Sequence, residues 1–275
     1  MIKNSKWLLL ILFYFASSYA NTGSDLDLEK KIRKAIEAYD VLQTKKLLNE
    51  VPGNTTSHIR LRGILFHGLY ATDSALVNLK KAQHAFPQDT AILLRLAEVL
   101  LWKKDFENSG IILDAFPFPS SLGYLRVRAT QFEISKRFQD ALVLWEKVIA
   151  NDPEPWGALE RKGLVLSWMN RLPESEAVFK SLIVEKKVSK GLRIRALIRL
   201  GELLSWQGKQ SDAIFQLDQA LLLDKENIEA NLLKGQALEW SKRYSEAKQH
   251  YANLLRRFPN NQECKLRLEK LLWAD

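Results

Sequence analysis

The segment Ile194–Asn227, IRALIRLGELLSWQGKQSDAIFQLDQALLLDKEN, decides the fold. Leu197, Leu200, Gly201 and Leu204 fall at i, i+3, i+4 and i+7, the spacing that gathers side chains on one face of a helix. Gly208 ends that helix, and a second carries Ala213, Leu217, Ala220, Leu221 and Leu223. The pattern begins again at Ile228, so the segment reads as one helical hairpin of 34 residues.

Outward from it, equivalent units start at 56, 90, 122, 156, 194 and 228, with spacings of 34, 32, 34, 38 and 34. The eighth place of each unit is small: Gly63, Ala97, Ala129, Gly163, Gly201 and Gly235. So is the twentieth, which holds Ala75, Ser109, Ala141, Ser175, Ala213 and Ala247. The twenty-fourth is bulky: Leu79, Leu113, Trp145, Phe179, Leu217 and Tyr251. Two helices cross closely only where side chains are minimal, so the small columns mark the crossing and the large column fills the space beside it. Both irregular spacings fall between hairpins, where insertions are tolerated. Pro117 and Pro119 stop one second helix early, and Lys187 to Gly191 are added before Ile194.

Small residues at places eight and twenty, a large one at twenty-four and proline at thirty-two (Pro87, Pro153, Pro259) resemble the tetratricopeptide repeat over residues 56 to 261. The fourth place departs from that family's usual Trp, carrying aliphatic residues or Asn231, and Ser121, Lys187 and Lys225 replace the closing proline in three units. The resemblance implies an all-α, right-handed superhelical solenoid of about six hairpins, at 56–89, 90–121, 122–155, 156–193, 194–227 and 228–261. Residues 21–55 read as a degenerate first repeat, and 262–275 as a terminal capping helix that shields the last apolar face.

Residues 1–20 read as a signal peptide: Lys3 and Lys6, an uncharged apolar run from Trp7 to Ala16, then Ser18-Tyr19-Ala20. The run is about ten residues, half of what a membrane-spanning helix needs, and no later stretch is uniformly apolar. The chain beyond it is expected to be exported to a bacterial periplasm or an outer-membrane-associated envelope space, with no transmembrane segment after cleavage. A single cysteine, Cys264, leaves the fold to packing alone. The formal charge of +9 includes Lys3 and Lys6 and favours contact with acidic surfaces.

The resemblance implies that first helices line a concave groove and that places two, five, nine, twelve and thirteen touch the ligand. Those places carry Arg60, Arg126 and Arg195, and the acids Glu98, Glu133, Glu160, Glu202, Glu229 and Glu239. Six acids against three bases predict a groove suited to a basic or mixed-charge segment, with the remaining positive charge on the back, edges and turns. The thirteenth place carries Trp102, Trp168, Trp206 and Trp240. Such a column either grips a ligand or packs each first helix against the next hairpin. The Leu-Ser-Trp form at 166–168 and 204–206 is similar to repeats of bacterial envelope proteins, including periplasmic parts of exopolysaccharide export machines.

No catalytic constellation stands out. Gly201 to Gly208-Lys209 has six residues between its glycines and no Ser or Thr after the lysine, unlike a phosphate loop. There is no Gly-x-Ser-x-Gly elbow, and one cysteine forbids Cys-x-x-Cys. His58, His67, His84 and His250 never fall at i, i+4, so no metal site and no cofactor are expected. Basic residues are dispersed, which argues against a nucleic-acid partner. The expected function is a non-catalytic scaffold holding a partner protein or extended peptide in its groove. The alternative is a component that handles envelope polysaccharide or cell-wall glycan through the Trp column.

Overall fold

The computed structural model describes residues 27, 28, 31, 41–51 and 72–272. The expected signal peptide, most of the 21–55 cap, the segment carrying Arg60 and Gly63, and the last three residues lie outside these. Among the described residues there are thirteen α-helices and no strand. None of the described helices is long and apolar enough to cross a membrane. The chain forms two compact units, Met1–Val127 and Arg128–Asp275.

In the first unit lie α1 (Val41–Glu50), α2 (Thr72–Ala85), α3 (Thr90–Trp102), α4 (Phe106–Asp114) and the beginning of α5 (Leu122–Ile134). Asp89 starts α3 by accepting the amides of Ala91 and Ile92, which would otherwise have no partner in the first turn. Ala75, Leu79 and Ala82 of α2 close a core with Ile92, Leu96, Val99 and Leu100 of α3. Leu101, Leu113 and Val127 form a second apolar cluster with Ala97. α4 stops at Asp114, before Pro117 and Pro119, and has 9 residues where α2 has 14.

The second unit continues through α5 into α6 (Phe138–Asn151), α7 (Trp156–Trp168), α8 (Leu172–Val184), α9 (Lys190–Trp206), α10 (Gln210–Leu223), α11 (Ile228–Trp240), α12 (Tyr244–Arg257) and α13 (Gln262–Leu272). α7 packs on α8, α9 on α10 and α11 on α12, and α7 also touches α9 and α9 touches α11. α9 starts four residues before Ile194, because Ser189 caps it through the Leu192 amide and Val188 and Leu192 are buried in the core. Part of the insertion expected between hairpins is therefore one more turn of helix.

The two small columns meet the large one as sterics require. A Cβ on Gly163 would stand 2.8 Å from Phe179 Cζ, and one on Gly201 2.7 Å from Leu217 Cγ. At Gly235 it would run into the Tyr251 ring. Phe179, Leu217 and Tyr251 are fully enclosed, and burying such a side chain contributes about 1.5–3 kcal/mol. Serine in the second small column adds a hydrogen bond. Ser109 Oγ donates to the Ala97 carbonyl at 3.0 Å, and Ser175 Oγ to that of Gly163 at 2.8 Å.

The turn inside each described hairpin is left-handed at one place: Lys104 (φ 62), Lys136 (58), Asn170 (59), Gly208 (77) and Lys242 (60). The next amide then reaches back to a carbonyl five residues earlier, as from Arg137 to Phe132 (2.8 Å) and Lys209 to Leu204 (2.9 Å). This reversal satisfies the carbonyls left open at the end of each first helix.

Candidate functional site

First helices carry most of the polar side chains that the resemblance points to, and the structure gives all six of the acids an arginine. Glu98 pairs with Arg95 at 3.0 Å, and Glu160 takes both Nε and Nη2 of Arg195 at 2.7 and 3.0 Å. Arg199 Nη1 serves Glu202 at 3.1 Å and Glu229 at 2.9 Å. Glu239 pairs with Arg267 at 3.3 Å, and Glu133 with Arg161. Arg95, Arg161 and Arg199 stand at the sixth place of their units, outside the five places counted as ligand contacts. Including that place turns the expected acidic face into a balanced one, six acids against six bases.

Two of these acids serve the interior. Glu133 is buried, 4% exposed, and accepts the Trp145 indole N–H at 2.5 Å while pairing with Arg161. Glu239 accepts the Tyr251 hydroxyl at 2.5 Å. In both hairpins a large residue with a polar head at place twenty-four reaches a glutamate at place twelve. The sequence carries the signal: where place twenty-four is Leu or Phe, place twelve is His67, Leu101, Ser167 or Ser205. Tyr251 is held well above the ordinary phenol range, by burial and then by the Glu239 carboxylate it donates to. Glu133 therefore belongs to the hairpin's own packing and presents no carboxylate to a ligand.

The tryptophan column is half exposed. Trp102, Trp168, Trp206 and Trp240 are 38%, 44%, 54% and 51% exposed, too open for core residues of their size. Trp168 rests one side near Phe138, ring centroids 5.5 Å apart, with the Arg161 guanidinium 5.9 Å from its own centroid. Arg126 is exposed on α5, and Arg60 lies outside the described residues.

Between α7 and α9 these side chains enclose a cleft of about 320 Å³. Leu164, Leu203 and Phe179 form its apolar lining, and Arg161, Arg199, Glu202, Trp168 and Trp206 complete its wall. Burial, then the charge of Arg199, hold the Arg161 guanidinium below its usual range. The described residues contain no cluster of three or more metal-ligating side chains. What this cleft offers is shape, two indole faces and guanidinium donors, the means of recognition.

The tetratricopeptide-repeat family matches residues 229–261. No curated protein matches the sequence. Among solved structures, a chain of the APC/C hetero-tetramer Cut9–Hcn1 superposes with a TM-score of 0.70 at 14% identity, over 88% of this chain and 48% of that one. This chain thus spans about half the length of that match. PilW, a type IV pilus biogenesis factor, superposes with a TM-score of 0.66 at 16% identity, covering 79% of this chain and all (100%) of PilW. A tetratricopeptide repeat protein from Parabacteroides merdae gives 0.61 at 15% identity, over 91% of this chain and 100% of that one. At such identities the likeness is one of fold. One repeat of this chain matches the tetratricopeptide-repeat family by sequence, and the fold around it is similar to that of PilW and the Parabacteroides merdae protein.

Proposed function

We propose that the protein is a non-catalytic scaffold of the bacterial envelope that binds a partner protein, or an extended segment of one, on the face made by its first helices. The observation that carries this reading is the cleft between α7 and α9, where half-exposed Trp168 and Trp206 stand beside charged side chains on preformed helices. A rigid surface of this kind binds without first having to be ordered. Glu98, Trp102, Arg126, Glu160, Trp168, Arg195, Glu202, Trp206, Glu239 and Trp240 are the described side chains on which the contact would fall. The signal-like residues 1–20 and the likeness of fold to PilW support an envelope location.

A photo-crosslinking residue in place of Glu202, on a first helix, tests this against the same residue in place of Phe215, exposed on a second helix. Expressed in the native envelope, the first variant is expected to trap one discrete partner and the second not. Equal trapping from both positions would count against the first-helix face. A glycan-binding reading is favoured by the same half-exposed indoles, since sugar rings stack on such faces. Retention on envelope polysaccharide that disappears in Trp168→Ala and Trp206→Ala, without a protein partner, would replace the scaffold reading with that one.

A further inference from the structure

We propose that the edge formed by the α8–α9 and α10–α11 turns rests on an anionic membrane surface. Val184 and Leu222 enter the headgroup layer there, and the lysines around them meet lipid phosphates. This edge shares no residue with the α7–α9 cleft, so it stands or falls independently of what that cleft holds.

Val184 is the last residue of α8 and Leu222 the last but one of α10, and both hold place twenty-nine of their units. They are 77% and 78% exposed, the two most exposed large apolar side chains among the described residues. The hairpins close without them, on buried Leu182 of α8 and Ala220 of α10. Ile228, first in α11, adds a third partly exposed apolar side chain. Packing of α9 on α8 and α11, and of α11 on α10, brings both turns to one edge. The first turn is held in place, since Val188 is buried and Ser189 caps α9. The four residues that α9 gains before Ile194 lengthen it there by about 6 Å.

Charge around these tips is one-sided. Lys186, Lys187, Lys190 and Lys225 are exposed, and none of their ammonium groups meets an acid among the described residues. Arg256, also exposed, holds place twenty-nine in the next unit. The acids of the two turns are engaged close by. Glu185 accepts the Lys187 amide at 2.9 Å, and Asp224 accepts the Glu226 amide at 3.3 Å and the Asn227 side-chain amide at 3.2 Å. Glu226 pairs with Arg257 at 3.0 Å.

This combination selects among occupants. A second copy of the chain would set lysine against lysine across a twofold contact. A folded protein partner is a poor match, because interfaces between proteins are depleted in lysine. An anionic bilayer suits both halves. The apolar tips lose water at the headgroup boundary, while the ammoniums stay with the phosphates and their stems lie along apolar surface. Each lysine near such a surface tightens association about fivefold.

Co-sedimentation of the full chain with vesicles of equal parts phosphatidylcholine and phosphatidylglycerol, against phosphatidylcholine alone, tests the assignment. Binding to the mixed vesicles is expected to be the tighter and to weaken with added salt. The triple variant Lys186→Glu/Lys187→Glu/Lys225→Glu is expected to bind them at least about tenfold more weakly. The same charge change at Lys136, Lys209 and Lys242, in turns at the other end of the second helices, is expected to cost less than about twofold. Val184→Ser/Leu222→Ser is expected to cost about tenfold with thermal unfolding unchanged. Residues 1–20 also carry an apolar run, so a local readout accompanies these. An environment-sensitive fluorophore on Leu222→Cys is expected to shift to the blue with the mixed vesicles, and one on Lys242→Cys not to shift, Cys264 being buried. Native binding by the Lys186/Lys187/Lys225 variant, equal loss from the two lysine sets, or no shift from position 222 would overturn the proposal. So would a shift from 222 that needs only a higher protein concentration and no lipid, which would assign the edge to a second copy.

Discussion

The indole nitrogen of Trp145 donates to the carboxylate of Glu133 across the α5–α6 hairpin, 2.5 Å apart and both buried. That bond, extended to Arg161 on α7, ties two successive hairpins through one acid. Removing the acid alone leaves an indole N–H and a guanidinium without their partner. Glu133→Leu is therefore expected to cost roughly 3 kcal/mol in urea unfolding. Adding Trp145→Phe to Glu133→Leu should recover part of that loss, because replacing both partners by apolar groups leaves nothing unsatisfied. The chain already contains an apolar version of the pair, Leu101 with Leu113. A double variant less stable than Glu133→Leu alone would contradict this account.

Glycine at the crossing is a steric requirement, whereas other helical glycines are not. Gly235→Ala sets a methyl against the Tyr251 ring and should destabilise by about 1–3 kcal/mol. Gly157, also helical, has nothing within 4 Å of an added Cβ. Gly157→Ala is expected to stabilise by roughly 0.5–1 kcal/mol. Paired urea midpoints decide it, and a similar shift for both would mean that the small column is incidental.

Three of the five left-handed turn positions hold lysine, at Lys104, Lys136 and Lys242. A side chain there is strained. Lys136→Gly and Lys242→Gly are expected to raise stability by about 0.5 kcal/mol each, and Gly208→Ala to lower it by about 1 kcal/mol. Thermal unfolding of the three variants measures the sign directly.

His250 lies against the Asn231 carbonyl, 2.8 Å from Nε2, with Lys234, Arg257 and Asp218 as the charges around it. Burial lowers its proton affinity below the ordinary histidine value, so the unfolded chain binds the proton first as pH falls. Its contribution to stability is fully present above about pH 6.5 and declines below that. Urea midpoints at neutral and mildly acid pH should fall for the native chain and change less for His250→Gln. An identical pH slope in both would show that His250 does not carry the effect.

What was legible in the sequence follows from what is steric. Gly163, Gly201 and Gly235 mark the crossing because an added Cβ would press on Phe179, Leu217 and Tyr251. The turns were legible only at Gly208, since Lys104, Lys136 and Lys242 adopt the same conformation without the residue that usually signals it. Charge was read less well, for a physical reason. Arg161 and Arg199 lie one residue beyond the places expected to touch a ligand, yet they neutralise acids that periodicity alone leaves unpaired. Glu133 falls at a place expected to touch a ligand, and periodicity does not reveal its partner, Trp145, twelve residues away on the other helix. The half exposure of Trp168 and Trp206, which spacing does not reveal, sets them apart from the core.

The most direct measurement is retention of the crosslinked partner by the double variant Trp168→Ala/Trp206→Ala, read beside its thermal unfolding. Both indoles are about half exposed, so the unfolding temperature is expected to stay near that of the native chain while partner retention is lost. Retention at the native level in a normally folded double variant would contradict the claim that the partner is held on the first-helix face.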